Sequence, residues 1–247
     1  MIPGAAQKLL DGVTDLFLPR RCAGCGAAGA WLCRRCAAQL VALDGPHCRR
    51  CGRPTPLPER SCVECRGRDL AFVSAAAAFA YSGAARRLVT QCKFQALRSL
   101  TDEMAALAAP RFRQFVAAAG AREPFQVVTW VPTTGGRRVE RGFDQAELFA
   151  RKLAAAAGLP AAALLARTRS SAKQSGLDRA ARAANVRGGF VCRPPGPTAL
   201  PGFKRAVVVD DVYTTGETLN QCATALAAEG HEVHVFTFAR TVRGGLC

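Results

Sequence analysis

The sequence predicts an α/β protein: a parallel sheet flanked by helices, with a small cysteine-rich module ahead of it. Three observations carry that expectation. In the second half, short runs that are nearly continuous in apolar residues alternate with helical patterns, as strands covered on both faces require. Hydrophobic residues make up 49% of the 247, enough to bury the core of one ordinary domain plus a small module. Eight of the twelve cysteines fall in four C-x-x-C pairs before residue 66, and the composition changes after Arg68. The expected division is therefore 1–68 for an N-terminal helix and the cysteine module, and 69–247 for the α/β domain.

The elements follow in order. Residues 5–18 place Leu9, Leu10, Val13, Leu16 and Phe17 at helical spacing ahead of Pro19, giving a short amphipathic helix that packs on a neighbour. Residues 22–65 are poor in large aliphatics and rich in Cys, Gly, Pro and Arg, so they cannot form a core without metal. F-V-S-A-A-A-A-F-A-Y-S-G, at 72–83, reads as a strand and turn, followed by a helical stretch through Leu88 to Phe94. A further helix spans about Leu100 to Ala119 and is expected to be interrupted or shifted at Pro110. Gln126–Val131 is a strand ending at Pro132, and Asp144–Ala157 a helix stopped by Gly158. The basic, small-residue segment Arg167–Arg187 reads as a long loop. Ala206–Asp211 is a buried strand, Glu217–Glu229 a helix closed by Gly230, and Val233–Ala239 a strand.

The net charge of +16 favours polyanionic partners or phosphorylated substrates. Met1–Arg20 has its apolar residues interrupted by Lys8, Asp11 and Asp15, unlike a signal peptide. No run approaches the roughly 20 apolar residues needed to span a bilayer. Paired C-x-x-C spacing points to metal thiolates in a reducing compartment. A cytoplasmic protein without membrane insertion is expected.

Each C-x-x-C makes a knuckle that offers two thiolates to one ion, and two knuckles complete the S₄ shell of structural zinc. The first set is Cys22, Cys25, Cys33 and Cys36; the second is Cys48, Cys51, Cys62 and Cys65. Two zinc ions are expected, with Fe–S clusters or redox dithiols as the other chemistries of such pairs. Cross-brace pairing would use the same residues. His47 is surplus to the ligand count. Around the ligands stand Arg20, Arg21, Arg34, Arg35, Arg49, Arg50, Arg53, Arg60, Arg66 and Arg68, against only Asp44, Glu59 and Glu64. That excess suits nucleic-acid phosphates, or simply a solvated module that supports the larger domain.

The sharpest pattern is V-V-V-D-D-V-Y-T-T-G-E-T, Val207 to Thr218: a strand, two acids, a hydroxyl-and-glycine loop, then a helix. Ligands of open α/β sheets lie beyond the carboxyl ends of the strands, where this loop falls. Backbone N–H groups and the helix N-terminus favour an anion there. Thr214, Thr215 and Thr218 add hydroxyls, Gly216 allows close approach, and Asp210 and Asp211 can accept hydrogen bonds from vicinal hydroxyls. A helix cap would explain one acid or one threonine, not two acids plus T-T-G after a buried strand.

This pattern resembles the 5-phosphoribosyl-1-pyrophosphate (PRPP) signature of type I phosphoribosyltransferases. The whole chain, from about residue 10 to 242, is similar to the ComF family, associated with natural competence and use of incoming DNA. The matching features are the double zinc ribbon, Lys93-Phe94, Val131-Pro132, R-R-V-E-R-G-F-D-Q from Arg137 to Gln145, and the stretch with Arg167, Gln174, Arg182, Asn185 and Val186. The family commonly has Asn where this chain has Asp144. That change removes an amide donor, unless the position only caps the following helix.

The resemblance implies a type I phosphoribosyltransferase-like sheet in which Asp210 and Asp211 hold the ribose hydroxyls. The 5′-phosphate would be wrapped by Val212, Tyr213, Thr214, Thr215, Gly216, Glu217 and Thr218. Pyrophosphate would leave ribose C1 through an oxocarbenium-like transition state, with Mg²⁺ on its oxygens. Arg137, Arg138, Arg141 and Lys93 are the candidates for pyrophosphate contact, and the Arg167–Arg187 segment for closure over the site. His231, His234 and the scattered cysteines read as structural, and no general base is evident. Three functions stay open: a phosphoribosyltransferase, a DNA-uptake factor whose ribbons contact single-stranded DNA or competence proteins, and a non-catalytic PRPP sensor.

Overall fold

In the computed structural model the described residues are 20–56, 58, 62–95, 98–133, 144–168, 189–193 and 202–242. The expected helix at 5–18 lies outside them. The elements are α1 (Arg34–Ala37), β1 (Ser74–Ala80), α2 (Gly83–Gln95), α3 (Arg98–Ala119), β2 (Val127–Trp130) and α4 (Gln145–Ala156). They continue with β3 (Leu165–Arg167), β4 (Phe190–Cys192), β5 (Arg205–Tyr213), α5 (Glu217–Ala227) and β6 (Glu232–Arg240).

Four strands form one sheet in the order β1-β6-β5-β2, every neighbouring pair parallel. The two central strands are rich in apolar residues, and Ala206–Val209 are fully buried. Alternation divides them between two cores. Val207, Val209, Phe236 and Phe238 pack with α2, α3 and α4, and Phe112 meets Phe236 edge-on at 4.9 Å. Ala206, Val208, Val233 and Val235 pack with α5 and with Leu165 and Phe190 of a small antiparallel β3–β4 pair. Each large side chain buried this way contributes about 1.5–3 kcal/mol. The parallel sheet flanked by helices is the architecture the sequence predicts.

The cysteine module is not a bead on a string. Cys22, Ala23, Leu32 and Cys36 join the first core, while Cys48, Cys51, Cys62 and Cys65 join the second. The chain between them runs antiparallel along the free edge of β1. Ala80 donates its N–H to Val41 O at 2.8 Å, and Leu43 donates to Ala78 O at 2.9 Å. An edge strand that would otherwise expose its amides and carbonyls is thereby covered. The module clasps the sheet edge, one half against each core. Gly52 makes the clasp possible: its φ is +72°, and a Cβ there would lie 2.5 Å from Ala75 O of β1.

Three local expectations change. Pro110 does not interrupt α3, which is one helix from Arg98 to Ala119. Pro110 is exposed, as is Ala106 four residues earlier, so the missing hydrogen bond falls on the solvent side of the helix. β5 holds both acids, as the Ala206–Asp211 reading expects, but it runs two residues further, to Tyr213. Arg167 ends a short strand instead of opening a loop, and most of the 167–187 segment lies outside the described residues. Among the described residues, no helix is long and apolar enough to cross a membrane.

Candidate metal centres and phosphate-binding loop

The four sulfurs of Cys22, Cys25, Cys33 and Cys36 all lie within 4.8 Å of one another, and so do those of Cys48, Cys51, Cys62 and Cys65. A tetrahedral ion with metal–sulfur bonds of about 2.3 Å requires sulfurs about 3.8 Å apart. The observed separations are 3.8 Å for Cys25–Cys33, 3.6 Å for Cys48–Cys65, 3.5 Å for Cys51–Cys62 and 3.9 Å for Cys62–Cys65. Pairing is sequential and the cross-brace is excluded. The two Cys₄ sites fit two structural zinc ions. His47 belongs to neither set and hydrogen-bonds Gly45 O at 2.8 Å through Nδ1.

Backbone amides favour the thiolate of the first cysteine in each set. Burial opposes ionisation of Cys22, but amides of Cys33, Cys25 and Gly24 more than offset it, and its pKa falls to about 6. Cys48, likewise opposed by burial and favoured by amides of Cys51, Arg50 and Cys62, falls to about 7. Gly24 is required for space: a Cβ there would come within 2.5 Å of Cys36 Sγ.

The loop after β5 stands at the carboxyl end of a central strand. Gly216 is the N-cap of α5 with φ +78°, a left-handed conformation that favours glycine. Thr214, Thr215, Glu217 and Thr218 are exposed, while Tyr213 is buried. Thr215 Oγ1 accepts from Glu217 N at 3.4 Å, and the first amides of α5 have no acceptor within the helix. The Tyr213 ring does not face the loop's outer surface. It lies beneath the turn, edge-on to Phe72 at 6.4 Å and under the Arg240 guanidinium at 4.3 Å.

Asp210 and Asp211 form a strained electrostatic pair. Burial first, and the neighbouring Asp211 carboxylate second, push Asp210 up to about 8; its Oδ1 accepts the Asp211 N–H at 2.9 Å. Lys93, in the last turn of α2, reaches Asp211 with Nζ–Oδ2 at 2.9 Å. Burial works against the Lys93 ammonium, but Asp211 and then Asp210 overrule it and raise its pKa. The structure thus brings Lys93, Asp210, Asp211 and the loop to one end of the sheet.

Arg137, Arg138 and Arg141 lie outside the described residues, but the ends of their segment are fixed. Asp144 accepts from Thr133 N at 3.1 Å and Thr133 Oγ1 at 2.9 Å, and caps α4 by accepting from Ala146 N at 3.0 Å and Glu147 N at 3.3 Å. Every one of these bonds needs an acceptor, and the carboxylate supplies it, so none of them asks for an amide donor at this position. Thr133 follows β2, which pairs with β5, so the segment starts and ends beside the acids.

His231 and His234 stand at the opposite end of the sheet. His231 stacks on Phe203 at 3.9 Å, and His234 contacts Ser74, Arg205 and Glu232. Sequence reasoning missed three residues around the loop. Thr241 donates its N–H to Tyr213 O at 3.0 Å and its hydroxyl to Thr214 O at 3.0 Å. Asn220 ties α5 to the entry of β1 through Asp69 O and Ala71 N. Arg240, a lone charge closing an apolar strand, was the one visible signal.

Comparison with known proteins covers both parts of the chain. Residues 13–66 match the model of the double zinc ribbon domain. Over 213 residues the chain is 28% identical to the DNA utilization protein YhgH of Salmonella typhimurium, covering 85% of this chain and 89% of that protein. It is 26% identical over 211 residues to Competence protein F of Haemophilus influenzae, covering 85% and 90%. Among solved structures, an adenine phosphoribosyltransferase overlaps 56% of this chain and 70% of its own, with 13% identity and a TM-score of 0.36. The chain is a homologue of the DNA utilization and Competence F proteins, with a double zinc ribbon domain joined to a parallel α/β sheet.

Proposed function

We propose that the chain binds 5-phosphoribosyl-1-pyrophosphate with Mg²⁺ at the end of β5 and acts as a phosphoribosyltransferase in the handling of DNA-derived products. The observation that carries this reading is the sequence of two carboxylates, a T-T-G turn with Gly216 in the left-handed region, and the N-terminus of α5, all at the carboxyl end of a central parallel strand. Asp210 and Asp211 would accept from the ribose hydroxyls. Thr214, Thr215 and Thr218, with the first amides of α5, would hold the 5′-phosphate. The buried Tyr213 would contribute only its backbone.

Magnesium usually binds through one or two carboxylates together with substrate phosphates. The partly buried Asp210–Asp211 pair suits a cation, and the ion would neutralise charge on the departing pyrophosphate. Lys93, together with Arg137, Arg138 and Arg141, would bind the same group. An acceptor nucleophile then bonds to C1 while the C1–oxygen pair leaves with pyrophosphate. The names of the relatives support a place in DNA use.

Calorimetry with PRPP plus Mg²⁺ tests the reading by comparing wild type with Asp210→Ala/Asp211→Ala. Binding by wild type that the double variant loses is expected; equal binding would overturn it. Pyrophosphate release on adding candidate acceptors separates a transferase from a sensor.

A second reading concerns the ribbons, where Arg21, Arg34, Arg35, Arg49 and Arg66 are exposed. These would meet the phosphates of single-stranded DNA. Because the ribbons share the cores of the sheet, the test uses the full chain. Affinity for an oligonucleotide should fall with salt, with a log–log slope of about −0.7 per phosphate contacted, and Arg34→Glu/Arg35→Glu should flatten that slope.

A further inference from the structure

Arg240 is a buried charge at the end of an apolar strand. It is 1% exposed and stands in register with Tyr213, the last residue of β5. A buried guanidinium persists only where acceptors and anions meet it. Here Nη1 donates to the Cys51 carbonyl at 2.5 Å, Nη2 lies 3.8 Å from Cys51 Sγ, and Nη2 also pairs with the carboxylate of Glu64. Cys51 is a ligand of the second Cys₄ site, and Glu64 lies between two others, Cys62 and Cys65. Four thiolates on a divalent ion carry net negative charge, which a neighbouring cation offsets.

The other face of the same guanidinium covers the Tyr213 ring at 4.3 Å. That ring is packed tightly beneath the phosphate loop: a Cβ on Gly216 would come within 2.3 Å of the Tyr213 hydroxyl oxygen and 2.4 Å of its Cζ. Thr241, next in the chain to Arg240, holds the loop's backbone at Tyr213 O and Thr214 O. Cys51, Arg240, Tyr213 and Gly216 thus form one continuous line of contacts. The first Cys₄ site lacks it, since its buried members pack with the opposite core.

We propose that Arg240 is a positioning residue that couples the second Cys₄ site to the Tyr213–Thr218 loop, so that metal in that ribbon sets the loop's affinity for a sugar phosphate. The proposal rests on the reading of the loop as the PRPP site. Without the ion the four cysteines share no centre. The Cys51 carbonyl and sulfur that orient Arg240 are then no longer fixed, and the ring supporting Gly216 is free to shift.

The test uses the full chain loaded with zinc and two readouts: hydrogen exchange of the 213–218 amides, and calorimetry with PRPP plus Mg²⁺. Arg240→Lys keeps the charge but loses the planar fork that serves Cys51 and Tyr213 together. It should retain zinc at both sites, exchange faster in the loop and bind PRPP about tenfold more weakly, within the usual range of coupling between sites. In wild type, stepwise chelation followed by thiol alkylation reports which site has emptied. Loop exchange should rise as the second site empties and stay unchanged as the first does. Loop exchange that ignores both Arg240→Lys and second-site occupancy overturns the coupling, as does equal loosening from either site. Failure of wild type to bind PRPP overturns the site reading alone, because the exchange measurement still decides the coupling.

Discussion

Lys93 Nζ stands 2.9 Å from Asp211 Oδ2, so a cation from the end of α2 already holds one of the two adjacent carboxylates at the end of β5. Burial and the neighbouring Asp211 carboxylate together favour a proton on Asp210, and the ammonium partly offsets them. On the reading proposed above, the same ammonium would also serve as a donor to pyrophosphate.

Replacing Lys93 should therefore weaken PRPP binding. A charge-assisted contact is worth about 1.5–3 kcal/mol, so Lys93→Met is expected to raise the Kd by roughly 10- to 100-fold. Calorimetry with PRPP and Mg²⁺ checks it. An unchanged Kd would remove Lys93 from the binding surface.

Asp210 makes stability depend on pH. Its folded pKa of about 8 lies above the ordinary 3.8, so the folded state keeps a proton that the unfolded chain has released. The group favours folding below the ordinary value and costs progressively more as pH rises toward the folded pKa. Asp210→Asn should thus gain stability over wild type between pH 6 and 8, with the gain levelling off above pH 8. Urea unfolding across that range measures the difference, and a gain that shrinks with rising pH would contradict the assignment.

Metal stoichiometry should respond to a glycine that is not a ligand. Gly24→Ala pushes a methyl to within 2.5 Å of Cys36 Sγ, against one corner of the first sulfur tetrahedron. Metal analysis is expected to fall from two zinc equivalents per chain to one, with the second ribbon retaining its ion. Two equivalents in the variant would mean that the first knuckle can relax around the added carbon.

The caps on α4 can be separated by chemistry. Asp144→Ala removes every acceptor for Thr133, Ala146 and Glu147, and should cost about 1–2 kcal/mol, the upper range for a lost N-cap. Asp144→Asn keeps one oxygen and should cost less than half as much. Urea midpoints of the two variants decide it, and an Asn variant as weak as Ala would show that both oxygens are needed.

How much was legible depends on how local the information was. The eight ligands could be read from spacing alone, because a knuckle is built from four consecutive residues. The acids and T-T-G turn stood out because Val207–Val209 announce a buried strand just before them. Pro110 misled because local propensity does not say which side of a helix faces water. The β3–β4 pair escaped because Leu165–Arg167 and Phe190–Cys192 are each too short to show a period. Arg240 could be noticed but not interpreted, since its acceptor on Cys51 is 189 residues away in sequence.

That separation has a consequence for synthesis. The second ribbon is made well before its packing partners Val233 and Val235 and the guanidinium against Cys51, which belong to β6. Until β6 is made, the second ribbon lacks the part of its shelter that Val233, Val235 and Arg240 supply. A message truncated just before the codons of β6 would therefore leave the second ribbon without the guanidinium that meets Cys51.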